Sequence, residues 1–489
     1  MRSDLLLAAS HPLAARRSLE LADLAAETFV GVWRNDITGR TIASAFAARG
    51  LSVQTFKKGP DYIDPMWLAR ASGRSCYNLD FNTQSEPEIL TTFRSRSCGA
   101  DIVLVEGNKG LHDGVDIAGQ DSSAALARLL RTPVILLIDT MGMARGIAPL
   151  VLGYTAFDRT IDIAGVILNK VGSARQETKL RQALERYTNV PVLGAIGRDN
   201  SLAVAERHLG LTPPAEDNGR DEKLAHMRDV VERNLDLDRL AAIASVAGRP
   251  AGPAVIEASA ARDTRVAVAR DAAFGFYYAD DLEALERAGA ELVFVDLLRD
   301  ERLPQVDALF IGGGFPETQA AALSANRAMR EGVRSAILGG MPTYAECGGL
   351  MYLTRSISFR DEVHEMVGVV PADTVLGNRP QGRGLVVLEE TADAPWPFRP
   401  ERPSIPAHEF HYGALRNIDP DCRFAYRVQR GYGVDGERDG VVVHNLLASF
   451  SHLRDTSRNR WARRFIAFAR KIRNGGSHGD VHRRRVAEC

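Results

Sequence analysis

The chain has 489 residues, room for two large or three ordinary domains at about 150 residues each. Its 45% apolar and 25% charged residues are those of a folded globular protein, and 61 basic against 62 acidic residues exclude a specialist in nucleic acid or another polyanion. The five cysteines, at 76, 98, 347, 422 and 489, are too scattered for a disulfide framework or a close metal-ligand spacing, so any of them that matters does so as a thiol in a reducing compartment.

In chain order, the N-terminal run Leu5–Ala9 is broken by Ser10 and His11 and followed by Arg16 and Arg17, which makes a poor signal peptide. No uninterrupted apolar run reaches the roughly 18 residues of a membrane span, so a cytoplasmic protein with no membrane partner is expected. Apolar, β-branched runs at Phe29–Trp33, Ile102–Val105, Val134–Ile138 and Ile163–Leu168 are each followed by a small-residue loop and a helical pattern. Buried strands alternating with helices predict a doubly wound parallel α/β sheet over residues 1–220. Glu106 stands at the end of one such strand, at the carboxyl edge where ligands bind in this architecture, and Asp113 follows on a Gly-rich loop. With Asp61 and Asp64 these acids have the hard oxygen chemistry of a Mg²⁺ site. The competing reading gives each aspartate a helix-cap or turn role.

Residues 221–263 begin as a charged helical stretch and continue through Ala247–Pro253, rich in Gly and Pro, which predicts a linker. A second α/β pattern occupies 264–468, with strands at Arg265–Ala269, Leu292–Val295 and Ala308–Ile311. The tail, 469–489, carries Arg483–Arg485 and little to bury, and a solvated, disordered end is expected there.

The second domain holds the strongest local chemistry. Cys347 lies in Thr343–Met351 with Ala345 and Gly349 two residues to either side, the spacing a nucleophile needs on a sharp strand-to-helix turn. The start of the next helix is expected to favour the thiolate. Upstream, Gly312-Gly313-Gly314-Phe315-Pro316-Glu317 follows an apolar strand, where bare backbone can aim N–H groups at an oxyanion. His452, in Ala448–Leu453 late in the domain, is a candidate base.

These segments, in the order GGGFPE, AECGGLMYL, HEFHYG and ASFSHL, resemble the class I glutamine amidotransferase domain of the cobyrinate a,c-diamide synthase family. The first half is similar to the same family at Phe56–Pro65 (FKKGPDYIDP) and Val105–Gly114 (VEGNKGLHDG). The resemblance implies a P-loop-like, dethiobiotin-synthetase-like amidoligase domain followed by the amidotransferase domain. It implies Cys347 as the nucleophile that forms a thioester with L-glutamine, His452 as its base, and the backbone of Gly313 and Gly348 as oxyanion donors. His408 and His411 rank behind His452 as bases. Many class I enzymes carry a glutamate two residues after the histidine; here Arg454 stands there, which implies a Cys–His dyad. For the first domain the resemblance implies ATP and Mg²⁺ as cofactors and phosphorylation of a carboxylate that ammonia then attacks. Lys57, Asp61, Asp64, Glu106 and Asp113 are its ATP- and substrate-binding residues, with Lys57 neutralising phosphate.

One motif departs from the family. The P-loop G-x-x-x-x-G-K-[ST] has no full match, and its nearest frame is Arg34–Thr41, before a helix expected at Ile42–Ala48. Gly39 and Thr41 fit, Arg34 replaces glycine and Arg40 replaces lysine, a planar fork where a compact ammonium is usual. Gly39, Arg40 and Thr41 are the expected phosphate contacts, and Thr41 with Glu106 the expected metal ligands. A variant ATP site, a lost synthetase step with glutaminase retained, and an altered start of the reading frame remain open; Met1–Ala9 itself reads like the family's first strand.

The acceptor implied is a cobyrinate-type tetrapyrrole, amidated at its a and c side chains. Cys76–Thr83, with Asp64–Trp67 and Glu106–Lys109, looks closer to a branch tied to dissimilatory sulfite reductase and proposed to amidate sirohaem. A non-catalytic paralogue that kept both folds is the reading from a different class. The resemblance also leaves a homodimer open.

Overall fold

The computed structural model describes residues 27–32, 38–199, 202, 206–207, 210–216, 219–246, 260–399 and 403–475. Met1–Ala9, Arg34–Ile37 of the phosphate-loop frame, Ala247–Pro253 and Arg483–Arg485 lie outside the described residues. The chain divides into two compact units, Met1–Phe81 with Ser85–Val255, and Asn82–Gln84 with Ile256–Cys489.

The first unit is built on seven parallel strands: β1 (Glu27–Val32), β2 (Val53–Lys58), β3 (Tyr77–Leu79), β4 (Ile102–Glu106), β5 (Val134–Asp139), β6 (Ile163–Val171) and β7 (Val192–Gly197). Their order is β3-β2-β4-β1-β5-β6-β7, so the chain winds to one side from β1 and, after β4, to the other. That reversal opens a crevice at the carboxyl ends of the central strands. The register places Lys57 of β2 opposite Glu106 of β4 at that end.

Helices α1 (Thr38–Ala48), α2 (Ile63–Ser72), α3 (Glu86–Ser97), α4 (Ser123–Leu130), α5 (Ile147–Phe157) and α6 (Ala174–Tyr187) alternate with the strands. The first of these starts earlier than Ile42, because Thr38, Gly39, Arg40 and Thr41 form its opening turn, where no N–H has an intrahelical acceptor and glycine costs little. It buries Ile42, Ala43, Ala45 and Phe46. Ser85 and Glu88 form a capping box that starts α3. After a short ribbon, β8 (Glu206–Arg207) with β9 (Gly210–Leu211), the charged stretch forms α7 (Arg220–Asn234) and α8 (Leu237–Val246). Leu224, Met227, Val231 and Leu240 are buried there.

The second unit opens with β10 (Thr264–Ala269), α9 (Ala279–Arg287), β11 (Ala290–Val295) and β12 (Ala308–Ile311). Next come α10 (Ala320–Ala325), α11 (Arg327–Leu338), β13 (Thr343–Glu346) and α12 (Gly348–Leu353). The strands β14 (Ser356–Phe359), β15 (Glu362–Glu365), β16 (Asp373–Leu376), β17 (Gly382–Glu390), β18 (Ser404–His411), β19 (Gly413–Arg416), β20 (Arg423–Arg430), β21 (Arg438–Val443) and β22 (Leu446–Ser449) follow, and α13 (Trp461–Arg473) ends the unit. Nine strands form one mixed sheet in the order β11-β10-β12-β13-β22-β21-β20-β17-β18, parallel from β11 to β22, and β15-β14-β16-β19 form a smaller one.

Period-two alternation splits the large sheet into two apolar faces. Ala267, Leu309, Ile311 and Ala345 point to a core with Met329, Val333 and Ile337 of α11. Val266, Val268, Phe310 and Tyr344 point to the other, closed by Trp461, Phe465, Ile466 and Ala469 of α13. Each such large side chain contributes about 1.5–3 kcal/mol on burial, which holds the carboxyl ends of β12, β13 and β22 in fixed register. The fold is therefore the expected one, a doubly wound parallel sheet followed by a second α/β unit.

Candidate active sites

In the first unit, β2 and β4 aim a cation and a carboxylate at each other. Lys57 Nζ lies 2.7 Å from Glu106 Oε1 and 2.6 Å from Asp64 Oδ2, with Asp61 Oδ2 at 3.9 Å. Asp64 comes from the first turn of α2, which Asp61 initiates by accepting the N–H groups of Ile63 and Asp64. Arg40 is buried beside this group, its Nη2 3.6 Å from Asp64 Oδ1 and its guanidinium over the Trp67 ring. Burial pulls the Lys57 ammonium down, but the Asp64, Glu106 and Asp61 carboxylates outweigh it and hold the ammonium above its ordinary value. Burial, then the Asp64 charge, pushes Asp61 up to about 7. Asp64 resists burial and falls to about 2 because Lys57 and Arg40 face it. The cluster therefore sets two cations, Arg40 and Lys57, against the carboxylates of Asp64 and Glu106, the latter pushed up by burial with the Lys57 charge opposing.

Two buried atoms of this cluster lack a hydrogen-bond partner, Arg40 Nη1 and Glu106 Oε2. One is a donor on a fixed cation and suits a phosphate oxygen; the other is a hard acceptor and suits Mg²⁺, which needs only one or two carboxylates alongside phosphates and water. The residues thus fit a nucleotide and its metal. Among the described residues no three His, Cys, Asp or Glu side chains form a metal cage of their own. Gly39 and Thr41 share the first turn of α1 with Arg40. Asp113 stands differently: it is exposed and accepts the Gly110 N–H, the turn role that competed with metal binding.

In the second unit, Cys347 sits between β13 and α12 with φ 48° and ψ −100°, a strained backbone for a non-glycine residue and the mark of the expected elbow. Its N–H donates to Ser449 O at 2.7 Å, so β13 hydrogen-bonds to β22 up to the cysteine itself. Small neighbours are obligatory here: a Cβ on Gly349 would lie 2.3 Å from Ile311 O, and one on Gly348 2.9 Å from Pro316 Cδ. The thiol does not behave as the helix-start argument expected. Burial, then the Glu317 carboxylate, pushes it well above its ordinary value, and the Gly348 N–H offsets only part of this. The six residues of α12 are too few for a dipole that would win.

His452 follows β22 and packs over the glycine segment, its Cε1 2.6 Å from where a Cβ on Gly313 would stand. Gly313, Gly348, Cys347 and His452 therefore share one corner at the carboxyl edge of the sheet. Asp439, fully buried on β21, accepts the N–H groups of Phe450 at 3.0 Å and Ser451 at 2.9 Å and so shapes the loop that presents the histidine. The His408 ring stacks on His452 with centroids 4.9 Å apart, and the two backbones pair. His411 is instead tied to Gly413 O at 2.8 Å and stacked on Phe450. Arg454 turns to Asp280 at 2.7 Å and covers Tyr278.

Sequence reasoning missed Glu346. The residue before the cysteine is buried, with Oε2 3.5 Å from His452 Nδ1. Its i, i+2 relation to Tyr344, whose hydroxyl it accepts at 2.5 Å, was the available signal.

Comparison with known proteins agrees with both halves. Residues 265–460 match the family model of the CobB/CobQ-like glutamine amidotransferase domain, and residues 77–205 that of an AAA domain. A cobyrinate a,c-diamide synthase of Magnetococcus marinus is 45% identical over 428 residues, 86% of this chain and 91% of the relative. Those of Methanosarcina acetivorans and Archaeoglobus fulgidus are 38% identical over 461 residues and 40% over 428, covering 88% and 86% of this chain and 92% of each relative. Among solved structures, PurLQS from Thermotoga maritima aligns with 43% of this chain and 98% of its own at 17% identity and a TM-score of 0.33. No helix among the described residues is long and apolar enough to cross a membrane. With relatives aligned along nearly their whole length and a domain model matched in each half, the chain belongs to the cobyrinate a,c-diamide synthase family of glutamine-dependent ligases.

Proposed function

We propose that this enzyme transfers the amide nitrogen of L-glutamine to the a and c carboxyl side chains of cobyrinate, at the expense of ATP. The observation that carries the reading is the pairing, in one chain, of an elbow cysteine beside a histidine with a buried cation–carboxylate cluster that has one donor and one acceptor unspent. The acceptor is taken from the relatives, all three of which bear the cobyrinate name.

In the glutaminase half, His452 takes the Sγ proton of Cys347, and the sulfur attacks the δ-carbonyl carbon of glutamine. Gly313 and Gly348 N–H groups hold the oxyanion. Collapse expels ammonia, which takes its proton from His452, and water hydrolyses the thioester to glutamate. Because the buried thiol starts protonated, a neighbouring base is required rather than optional.

In the synthetase half, ATP supplies the phosphoryl group that turns a poor leaving oxygen of the acceptor carboxylate into a good one as an acyl phosphate. Arg40 and Lys57 hold phosphate charge, with Gly39 and Thr41 at the same helix start. Glu106 and Thr41 would hold Mg²⁺, which when bound would neutralise phosphate charge, while Asp64, with Asp61 beside it, keeps the two cations in place.

The test incubates purified enzyme with glutamine, Mg²⁺ and ATP and either cobyrinate or sirohaem, and reads OH-to-NH₂ replacement by mass spectrometry. Diamidated cobyrinate is expected. Amidation of sirohaem alone reassigns the acceptor, and no glutamate release under any condition refutes the enzyme reading in favour of a non-catalytic paralogue. A Cys347→Ala enzyme should amidate with ammonia and not with glutamine; if glutamine still serves, Cys347 is not the nucleophile.

A further inference from the structure

The carboxylate of Glu346 has no counter-cation in the ordinary sense: among the described residues neither Lys nor Arg pairs with it. Its two oxygens are nonetheless fully directed. Oε1 accepts the Tyr344 hydroxyl at 2.5 Å and the Leu453 N–H at 2.9 Å. Oε2 is left facing His452 Nδ1 at 3.5 Å. The same carboxylate therefore fixes the backbone one residue past His452 and confronts its ring, which pins ring and loop together.

Burial gives this contact weight. The His452 and Glu346 side chains are 3% and 4% exposed, so their attraction is little screened by water. The position two residues past the histidine, where an orienting acid is usual, is held by Arg454, which pairs with Asp280 and lies over Tyr278. On its flat face the ring meets His408, and at its Cε1 edge Gly313, so it cannot swing away from Glu346. A separation of 3.5 Å is long for a hydrogen bond, as such contacts often are before substrate tightens them.

We propose that Glu346 is the positioning residue of the glutaminase site: its Oε2 receives Nδ1–H of His452, which leaves Nε2 of that ring as the base for Cys347. This rests on the assignment of Cys347 and His452 made above. The glutamate orients the imidazole, selects its tautomer and stabilises the imidazolium formed when the thiol gives up its proton. The third member of the site is thus the residue next to the nucleophile in sequence rather than one beyond the histidine.

Glu346→Gln keeps an oxygen for Tyr344 and Leu453 but turns an NH₂ toward Nδ1, which favours the wrong tautomer. Expected is a kcat for glutamate release lower by roughly 10²- to 10⁴-fold with KM for glutamine unchanged. The pH profile of Cys347 alkylation by iodoacetamide should move to higher pH, and Glu346→Asp should recover part of the rate. The other groups facing this pair are the carboxylates of Glu317 and Asp439 at the thiol, and His408, itself beside Arg454, at the ring. Ammonia-dependent amidation by the same variant reports that the chain is folded. Should the variants not fold, ¹⁵N NMR of His452 in the unmodified enzyme, assigned by difference from His452→Ala, decides the matter. An Nδ1–H tautomer supports the proposal, and an Nε2–H tautomer overturns it. Wild-type kcat in Glu346→Gln overturns it too, while Cys347→Ala remaining inactive with glutamine shows that the nucleophile assignment survives. Activity of Cys347→Ala with glutamine removes that assignment instead.

Discussion

Gly313→Ala is the sharpest perturbation of the glutaminase corner. The added Cβ would stand 2.6 Å from His452 Cε1 and 3.3 Å from the Phe276 side chain. Carbon atoms rest at roughly 3.5–4.0 Å, so the imidazole must retreat by about 1 Å. It has nowhere to go: His408 stacks on its face, and its backbone is bridged to that of His408 by the His452 N–H to His408 O bond at 2.8 Å. The strain should cost about 1–3 kcal/mol of stability. A displacement of about 1 Å at a reacting group costs on the order of 10²-fold in rate. The assay is steady-state glutamate release beside ammonia-dependent amidation, with a thermal melt as the measure of folding. Glutamate release should fall by that factor while ammonia still supports amidation. A folded Gly313→Ala enzyme with unimpaired glutamate release would falsify the placement of His452 at the reacting thiol.

Three further outcomes follow from named contacts. Lys57→Met leaves Asp64 and Glu106 buried without their shared ammonium, so ATP-dependent amidation should vanish and stability drop by about 3–5 kcal/mol; an unchanged denaturation midpoint would contradict the buried cluster. Asp439→Asn turns an amide donor toward either the Phe450 or the Ser451 N–H and should cost about 1–3 kcal/mol, with glutaminase losing more than ammonia-dependent activity; equal losses would mean that the loop is not specifically disturbed. The Asp373 carboxyl, held down to about 2 by hydrogen bonds from Arg355, with burial opposing, has a folded pKa below its unfolded 3.8. Its stabilisation, about 1–2 kcal/mol after allowing for the part-exposed Arg355, is therefore fully present above pH 4 and lost as pH falls through about 2; Asp373→Asn should lower the melting temperature at pH 7 and by progressively less as pH approaches 2, and a constant difference across that range refutes the linkage.

Local patterns made much of this legible. The apolar runs became strands because β-branched stretches between small-residue loops have few other ways to bury themselves, and Glu106 could be placed at a sheet edge from its position in the run. The elbow was legible because Ala345 and Gly349, two residues to either side of Cys347, are the small residues a sharp turn needs. What stayed hidden depends on register between distant segments. Glu346 faces His452 because β13 pairs with β22 so that Glu346 lies opposite Ser449, and no local rule gives that offset between residues 103 apart. His408 looked like a rival base, yet it packs on the face of His452 through a bridge between residues 44 apart. The thiolate expectation failed for a different reason: it weighed the helix start and could not weigh the desolvation of a buried thiol beside Glu317.

The two sites use buried carboxylates to opposite ends, and the difference lies in what each carboxylate faces. Around Lys57 the acids confront permanent cations, so their charges are spent on holding Lys57 and Arg40 in place, and what remains is one guanidinium N–H and one carboxylate oxygen with no partner inside the protein. Such a cluster gains by taking in a charged ligand. Glu346 faces a histidine, a group that gains positive charge by accepting a proton, so its charge is placed where a proton arrives during turnover. An Arg at position 40 fits this division. A guanidinium keeps its charge in a buried place crowded with acids and aromatic surface, where it can pair with Asp64 and lie over Trp67 at once.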